Sequence, residues 1–493
     1  MKRTVNNQNV FSGPNAVKNF LNPDHNQYIP LVEVPEHLNP FTKDGVQIFA
    51  KLMNTVPLMN IKSLPALQML QEAEDAGRLK SVKSLIENSS GNTVFSLAVL
   101  GRIFGVPKTK AIVSNEVTWG KLQLLRLFGT EIIVNEEPIC PDPSDKNSGI
   151  YKAKKIGLKK GWFNPGQYEN TANPRAHEKW TGKQIWDQTE GKLTLFAAGL
   201  GTTGTMFGAG NYLKSKKSNL RTLGVVRLPN NPVPGVRTEN LLHEIAFDWR
   251  SATDYVRRIN TKKSFEKSLD LCRAGLTVGP SSGFVFAGLL EFLKEQKDNL
   301  DIFRNEEGKI VAVFICPDSP LPYLNEYFEY LDESHFPKVE NAELLINKPT
   351  QPSNSKDNLK EDNVSFGVDA DEAYKLIYPL SPEEIWERIK QKKKILLKPN
   401  VLVVDIRSRG EFLHFHLPGS TRIDSYKITK DITKLISRWK KKKIFLVCSM
   451  GLRTKGVARF LREKGFEAYS IKGGSTEWSA RDFPRSRPEV CEV

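Results

Sequence analysis

Cysteine is scarce, with five residues (Cys140, Cys272, Cys316, Cys448 and Cys491) scattered over 493 positions. That is too few for a disulfide framework, and no C-x-x-C pair suggests a zinc site. A cysteine that matters here matters as a reactive thiol. No apolar run approaches the roughly 18 residues that span a membrane, and the opening MKRTVNNQNVFSGPNAVKNF lacks the apolar core of a secretion signal. The expectation is a cytoplasmic protein with no membrane attachment. The absence of short internal repeats excludes a solenoid. A composition of 39% hydrophobic and 26% charged residues excludes collagenous and wholly disordered chains. At about 150 residues per domain, the length predicts roughly two to four domains.

Positive charge is unevenly spread. Residues 371–493 hold 27 Lys+Arg against 15 Asp+Glu, whereas the first 370 hold 45 against 41. The lysine-rich stretches at 391–394 and 440–443 lack interleaved aromatics and every motif of a nucleic-acid reader. They read as a solvated face or as steering for small anions, and a nucleic-acid partner is not expected.

Residues 1–27, rich in Asn, are expected to form an extended arm. From 28 to 338, apolar runs such as TKAIVS, LTLFAAG, RTLGVV and KIVAVFICP alternate with helical stretches such as LPALQMLQEAEDAG. This alternation predicts α/β architecture with parallel sheets. Residues 339–370 are polar and read as a linker. A second, smaller α/β unit is expected over 371–493, with strands at VLVVDIR and IFLVCS and a helix at TKGVARFLREKG.

Three loops in the first domain carry chemistry. Ser89-Ser90-Gly91-Asn92-Thr93 follows a strand-like run, and its hydroxyls and backbone N–H groups suit a carboxylate or phosphate. Gly199-Leu200-Gly201-Thr202-Thr203-Gly204-Thr205 lets the backbone approach an anion while threonines add donors. It has neither the P-loop ending nor the G-x-G-x-x-G spacing. The third loop is Gly279-Pro280-Ser281-Ser282-Gly283. Taken alone, each loop is equally consistent with a helix cap.

Together, in this order, the loops resemble the T-S-G-N-T, G-x-G-T-G-G-T and G-I-S-S-G loops of the fold type II pyridoxal-phosphate enzymes of the cysteine synthase and cystathionine β-synthase type. The resemblance implies pyridoxal 5'-phosphate as cofactor, and a lysine must hold it. Two lysines precede the asparagine loop. Lys62, thirty residues before Asn92, opens a helix as the family's S-x-K lysine does, whereas Lys83 sits in a strand-like segment and reads as structural. By the same resemblance, Asn92 bonds the cofactor's phenolic oxygen, Ser281 its pyridine nitrogen, and Gly201, Thr202, Gly204 and Thr205 its phosphate. Ser89, Ser90, Thr93 and Gln167 receive the substrate's α-carboxylate. Arg227, after RTLGVV, is a candidate for an anionic leaving group. The sequence departs from the family at Asn60-Ile61-Lys62-Ser63-Leu64 (for S-x-K-D-R), at Val94 and at Thr203, the last two replacing glycines.

In the second domain, Cys448-Ser449-Met450-Gly451-Leu452-Arg453 lies between a strand and a helix, where backbone N–H groups favour a thiolate or persulfide. A tyrosine-phosphatase loop needs arginine six positions after cysteine, but Arg453 is five on. With Asp405-Ile406-Arg407, His416-Leu417-Pro418-Gly419 and Lys472 to Trp478, the region resembles the rhodanese family. The resemblance implies that Cys448 carries sulfane sulfur, that the loop amides and Arg453 stabilise the anion, and that Asp405 and Arg407 hold the loop. His416 reads as structural, and Cys491 as an exposed thiol or a resolving one.

The leading expectation is β-replacement on a serine-derived amino acid through an aminoacrylate, with sulfur handled by the rhodanese domain. The partners are a small amino acid and a sulfur donor, and the family implies a homodimer. The alternatives are a β-elimination lyase feeding Cys448, or a non-catalytic ligand-binding domain attached to a sulfur carrier.

Overall fold

The computed structural model describes residues 9–89, 91–115, 117–137, 141–242, 245–340, 366–430 and 439–486. It divides into two compact units, residues 1–336 and 337–493. Ser90, Cys140, Cys491 and most of the expected linker lie outside the described residues.

The apolar runs of the first unit form two sheets. The larger runs in the order Leu31–Glu33, Val46–Leu52, Ile310–Cys316, Leu195–Gly199, Arg221–Arg227, Tyr255–Ile259, and only its first pair is antiparallel. The smaller, all parallel, runs Glu131–Asn135, Lys108–Ser114, Ser84–Asn88, Trp162–Phe163. Strands covered on both faces read as continuous apolar runs rather than alternations, and all seven residues of Ile310–Cys316 are buried. Helix Pro280–Glu295 packs its phenylalanines, Phe284, Phe286 and Phe292, into the core of the larger sheet.

Residues 16–21 of the expected arm are helical instead. Asp24 anchors this segment by accepting from Trp180 Nε1 (2.8 Å) and Lys179 Nζ (2.6 Å).

The second unit is a five-stranded parallel sheet ordered Gly367–Val368, Glu467–Ile471, Lys443–Val447, Val401–Asp405, Thr421–Arg422. Its first strand falls within residues expected to be linker, because two residues suffice to add an edge to the sheet. Trp478 is fully buried against Tyr374 and Phe483. No helix among the described residues is long and apolar enough to cross a membrane.

Candidate active sites

In parallel sheets, ligands bind beyond the carboxyl ends of the strands, and the first unit follows that rule. The segments holding Lys62, Asn92, Gly201 to Thr205, Arg227 and Asp318 leave, in turn, strands 46–52, 84–88, 195–199, 221–227 and 310–316. Lys62, Asn92, Gly201, Thr202, Thr203, Thr205, Arg227 and Asp318, with Ser89, Thr93, Gln167 and Ser281, line one cavity of about 610 Å³, and Gly204 lies within the same loop.

Lys62 precedes helix Ser63–Asp75. Burial lowers its pKa to about 8, with Asp318 pulling the other way. Asn60, standing where the family has serine, accepts from Ser96 Oγ (3.2 Å) and so ties the lysine turn to the helix that Asn92 begins. The other candidate, Lys83, is exposed and does not line the cavity.

The second loop is a cradle with no room for side chains at its glycines. A Cβ on Gly201 would lie 2.0 Å from the Gly235 carbonyl, and one on Gly204 would lie 2.3 Å from Asn173 Oδ1. Thr203 has φ +63° although it is β-branched, and its buried hydroxyl has no hydrogen-bond partner. Asn173 Nδ2 donates to Thr202 Oγ1 (3.2 Å), and His177 Nε2 lies 3.3 Å from Thr205 Oγ1. Burial holds His177 neutral by lowering its pKa to about 3, helped by Lys62.

At the other side, Thr93 Oγ1 donates to Gln167 Oε1 (2.7 Å), and Gln167 Nε2 donates to the Asn88 carbonyl (3.1 Å). Glu87, which the sequence reading missed, accepts from the backbone N–H of Gly166 (2.9 Å) and Gln167 (3.2 Å) through one oxygen and of Asn88 (3.0 Å) through the other. Burial raises its pKa to about 7. Two further residues were missed. Arg237, almost fully buried, lines the cavity with its guanidinium 5.2 Å from the Tyr168 ring. Asp318 accepts from both Asn92 Nδ2 and Tyr323 Oη at 2.6 Å.

These residues fit pyridoxal phosphate. A partly desolvated amine, a phosphate-sized cradle whose glycines cannot carry side chains, and a buried serine at the start of helix 280–295 face one cavity.

Residues 24–313 match the family described as pyridoxal-phosphate dependent enzyme. The chain belongs to this family. Pyridoxal phosphate is its cofactor, and residues 381–481 match the rhodanese-like domain. The chain is 31% identical to a cysteine synthase of Aquifex aeolicus over 301 residues, which cover 60% of this chain and 88% of the relative. It is also 31% identical to the cystathionine beta-synthase of Saccharomyces cerevisiae over 304 residues, covering 57% and 58% of the two chains. Among solved structures, a hydrogen sulfide-producing enzyme of Fusobacterium nucleatum aligns with a TM-score of 0.53 at 25% identity, covering 64% of this chain and 99% of that one.

In the rhodanese-like unit, Cys448 directly follows strand 443–447 and is buried, 3.6 Å from Thr454 Oγ1. The loop turns at Gly451 (φ +77°), and the Lys472 to Trp478 segment clamps it. Ser475 N donates to the Cys448 carbonyl (2.9 Å), and a Cβ on Gly474 would fall 2.0 Å from that oxygen. Asp405 and Arg407 form a buried ion pair (2.7 Å), and Arg407 also donates to Ser475 Oγ (3.0 Å) and the Phe415 carbonyl (2.7 Å). His416 stacks on Phe412 at 4.0 Å. Arg453 lies beside Glu411 and Ser449. Its side chain is half exposed, 3.9 Å from the Glu411 carboxylate and 3.4 Å from Ser449 Oγ. Ser449 Oγ donates to Glu411 at 2.6 Å, which with Ser408 lowers the Glu411 pKa to about 2. The Glu411 charge, a fixed acceptor pair, competes for this arginine.

Proposed function

We propose that the first unit catalyses β-replacement on a serine-derived amino acid and that Cys448 carries the sulfane sulfur. The observation that carries this reading is the convergence of Lys62, Asn92, the 201–205 cradle and Ser281 on one cavity. Pyridoxal phosphate, when bound, supplies an electron sink for chemistry at the amino-acid α-carbon. Gly201, Thr202, Gly204 and Thr205 hold the phosphate, Asn92 the phenolic oxygen and Ser281 the ring nitrogen. Lys62 anchors the group and moves the α-proton at Nζ; a pKa near 8 keeps part of that amine uncharged at neutral pH. Ser89, Ser90, Thr93 and Gln167 orient the substrate's α-carboxylate. Arg227 and Arg237 both line the cavity, and neither forms an ion pair among the described residues, which favours a leaving group with negative charge. At Cys448, the loop amides hold a persulfide anion, with Arg453 available once it leaves Glu411.

A lyase is the second reading, favoured by the likeness to a hydrogen sulfide-producing enzyme. The same residues serve it, and the two readings differ only in whether a sulfur nucleophile or water completes the reaction. The reading extends to a location in the cytoplasm and to a homodimer, the latter supported by an exposed apolar groove of about 550 Å³ that includes Leu127, Leu321 and Leu324. The test is a panel of acetylated, phosphorylated and free serines, each with a sulfur donor, scored by mass spectrometry. A new sulfur-containing amino acid supports replacement, pyruvate with ammonia supports the lyase, and neither product from any substrate rejects both.

A further inference from the structure

Asp318 joins three of the four segments that carry the cofactor-site residues, those of Lys62, Asn92 and Ser281. Its backbone bridges Asn60, two positions before Lys62, while the Pro317 carbonyl accepts from Ile61 N (2.7 Å). Its own carbonyl accepts from Gly279 N (2.8 Å), which starts the turn of Ser281. Its side chain accepts from Asn92 Nδ2. Gly279 makes room for this carboxylate, since a Cβ there would lie 2.3 Å from Oδ1.

Asn92 Nδ2 and Tyr323 Oη both donate to one oxygen of Asp318 at 2.6 Å, an arrangement that favours the ionised acceptor. Burial opposes ionisation and raises the Asp318 pKa, while Tyr323, Asn92, Lys121 and Ser281 hold it down. The charged and titratable groups that face it come from every neighbouring element: Lys62, Lys121, Tyr323, Tyr327 and Cys316, with Glu326 paired to Lys121 at 3.7 Å. Lys62 and Asp318 line the same cavity, Asp318 bridges the turn that carries the lysine, and the Lys62 amine has no ion-pair partner among the described residues; Asp318 is the acid whose charge favours the cationic amine.

We propose that Asp318 is a positioning residue whose buried charge faces the Lys62 amine and whose Oδ2 fixes the Asn92 amide, so that one carboxylate governs both the lysine's readiness to react and the asparagine's orientation. Its meaning for the reaction rests on the proposed role of Lys62. With one Nδ2 hydrogen held by Asp318, the other is left pointing in a set direction. Facing a negative charge, the amine stays cationic to higher pH than its burial alone allows.

The test uses the full chain stripped of cofactor. Lysines are trace-acetylated with acetic anhydride across pH, and the Lys62 and Lys83 peptides are quantified by mass spectrometry. Restoration of the visible band on adding pyridoxal phosphate reports that a variant is folded. Asp318→Asn should move the half-labelling pH of Lys62 to the acid side by at least about half a unit, about threefold in proton affinity, and leave exposed Lys83 unmoved. If Asp318→Asn does not regain the band, Asp318→Ser, which also removes the charge, takes its place in the same assay. An unchanged Lys62 profile in a charge-free variant that regains the band overturns the proposal. A Lys62→Ala chain that regains a borohydride-reducible band overturns the attachment role of Lys62 instead, and the labelling profile still judges Asp318.

Discussion

Thr93 and Gln167, 74 positions apart in sequence, share a 2.7 Å hydrogen bond inside the cavity. Both were expected to bind the substrate's α-carboxylate, and the structure has them bonded to each other. Thr93→Val keeps the shape and removes the donor, leaving Gln167 Oε1 unsatisfied at a cost of about 1–3 kcal/mol. The expected outcome is a rise of about tenfold in the substrate concentration for half-saturation with a smaller change in turnover, read from steady-state kinetics. A fall in turnover alone would place Thr93 outside the carboxylate site.

Glu87 predicts a pH-dependent stability. Its folded-state pKa is raised from 4.5 to about 7, so the folded chain holds this proton more tightly than the unfolded one. Its contribution is therefore fully present below pH 4.5 and lost as pH rises through about 7. Glu87→Gln should flatten the decline of stability across that window in urea unfolding. It should also destabilise the chain by about 1–3 kcal/mol, because an amide nitrogen would face backbone donors. An unchanged slope would exclude Glu87 as its source.

The cradle makes opposite predictions for two neighbours. Gly201→Ala drives a Cβ to 2.0 Å from a backbone carbonyl that cannot swing away, so the cofactor should be lost on gel filtration. Thr203→Gly removes a β-branched residue from a left-handed conformation (φ +63°). It should raise the melting temperature of the cofactor-free chain, by about 1 kcal/mol of stability. Calorimetry of both variants checks the pair, and a lower melting temperature for Thr203→Gly would mean that its side chain is a net stabiliser.

In the second unit, Asp405→Ala leaves Arg407 buried without its partner, a loss of about 3–5 kcal/mol. It should lower the unfolding temperature of this unit and abolish thiosulfate-dependent loading of Cys448, whereas Arg453→Ala, at a half-exposed site, should slow loading without unfolding. Mass spectrometry of the Cys448 peptide reads both.

The loops were legible in the sequence because each is contiguous. Five neighbouring residues make the cradle, and the Cys448 turn is complete within six positions. Lys62, singled out by the resemblance, precedes helix 63–75 and lines the cavity, whereas Lys83 does not line it. Glu87, Arg237 and Asp318 were not legible, because each acts across the fold. Asp318 meets Asn92 from 226 positions away, and Glu87 accepts from amides 79 and 80 positions on. The contact of Arg453 with Glu411, which Ser408 and Ser449 hold, could not be read from spacing either, because Glu411 lies 38 positions before Ser449. The short strand Gly367–Val368 was invisible as well, since two residues carry no periodicity and are strand only because residues 470–471 pair with them.

The measurement that bears most directly on the account is the fate of labelled sulfane sulfur. Intact chain, Lys62→Ala and Cys448→Ser are each given a serine-derived substrate, thiosulfate labelled at its outer sulfur and a thiol reductant, which supplies the two electrons that free the sulfur from Cys448, and the free amino acids are analysed by mass. The account predicts label in a new sulfur-containing amino acid from the intact chain, none from Lys62→Ala, and a marked loss from Cys448→Ser. Labelled product from Lys62→Ala, or pyruvate without any new amino acid from the intact chain, would contradict it.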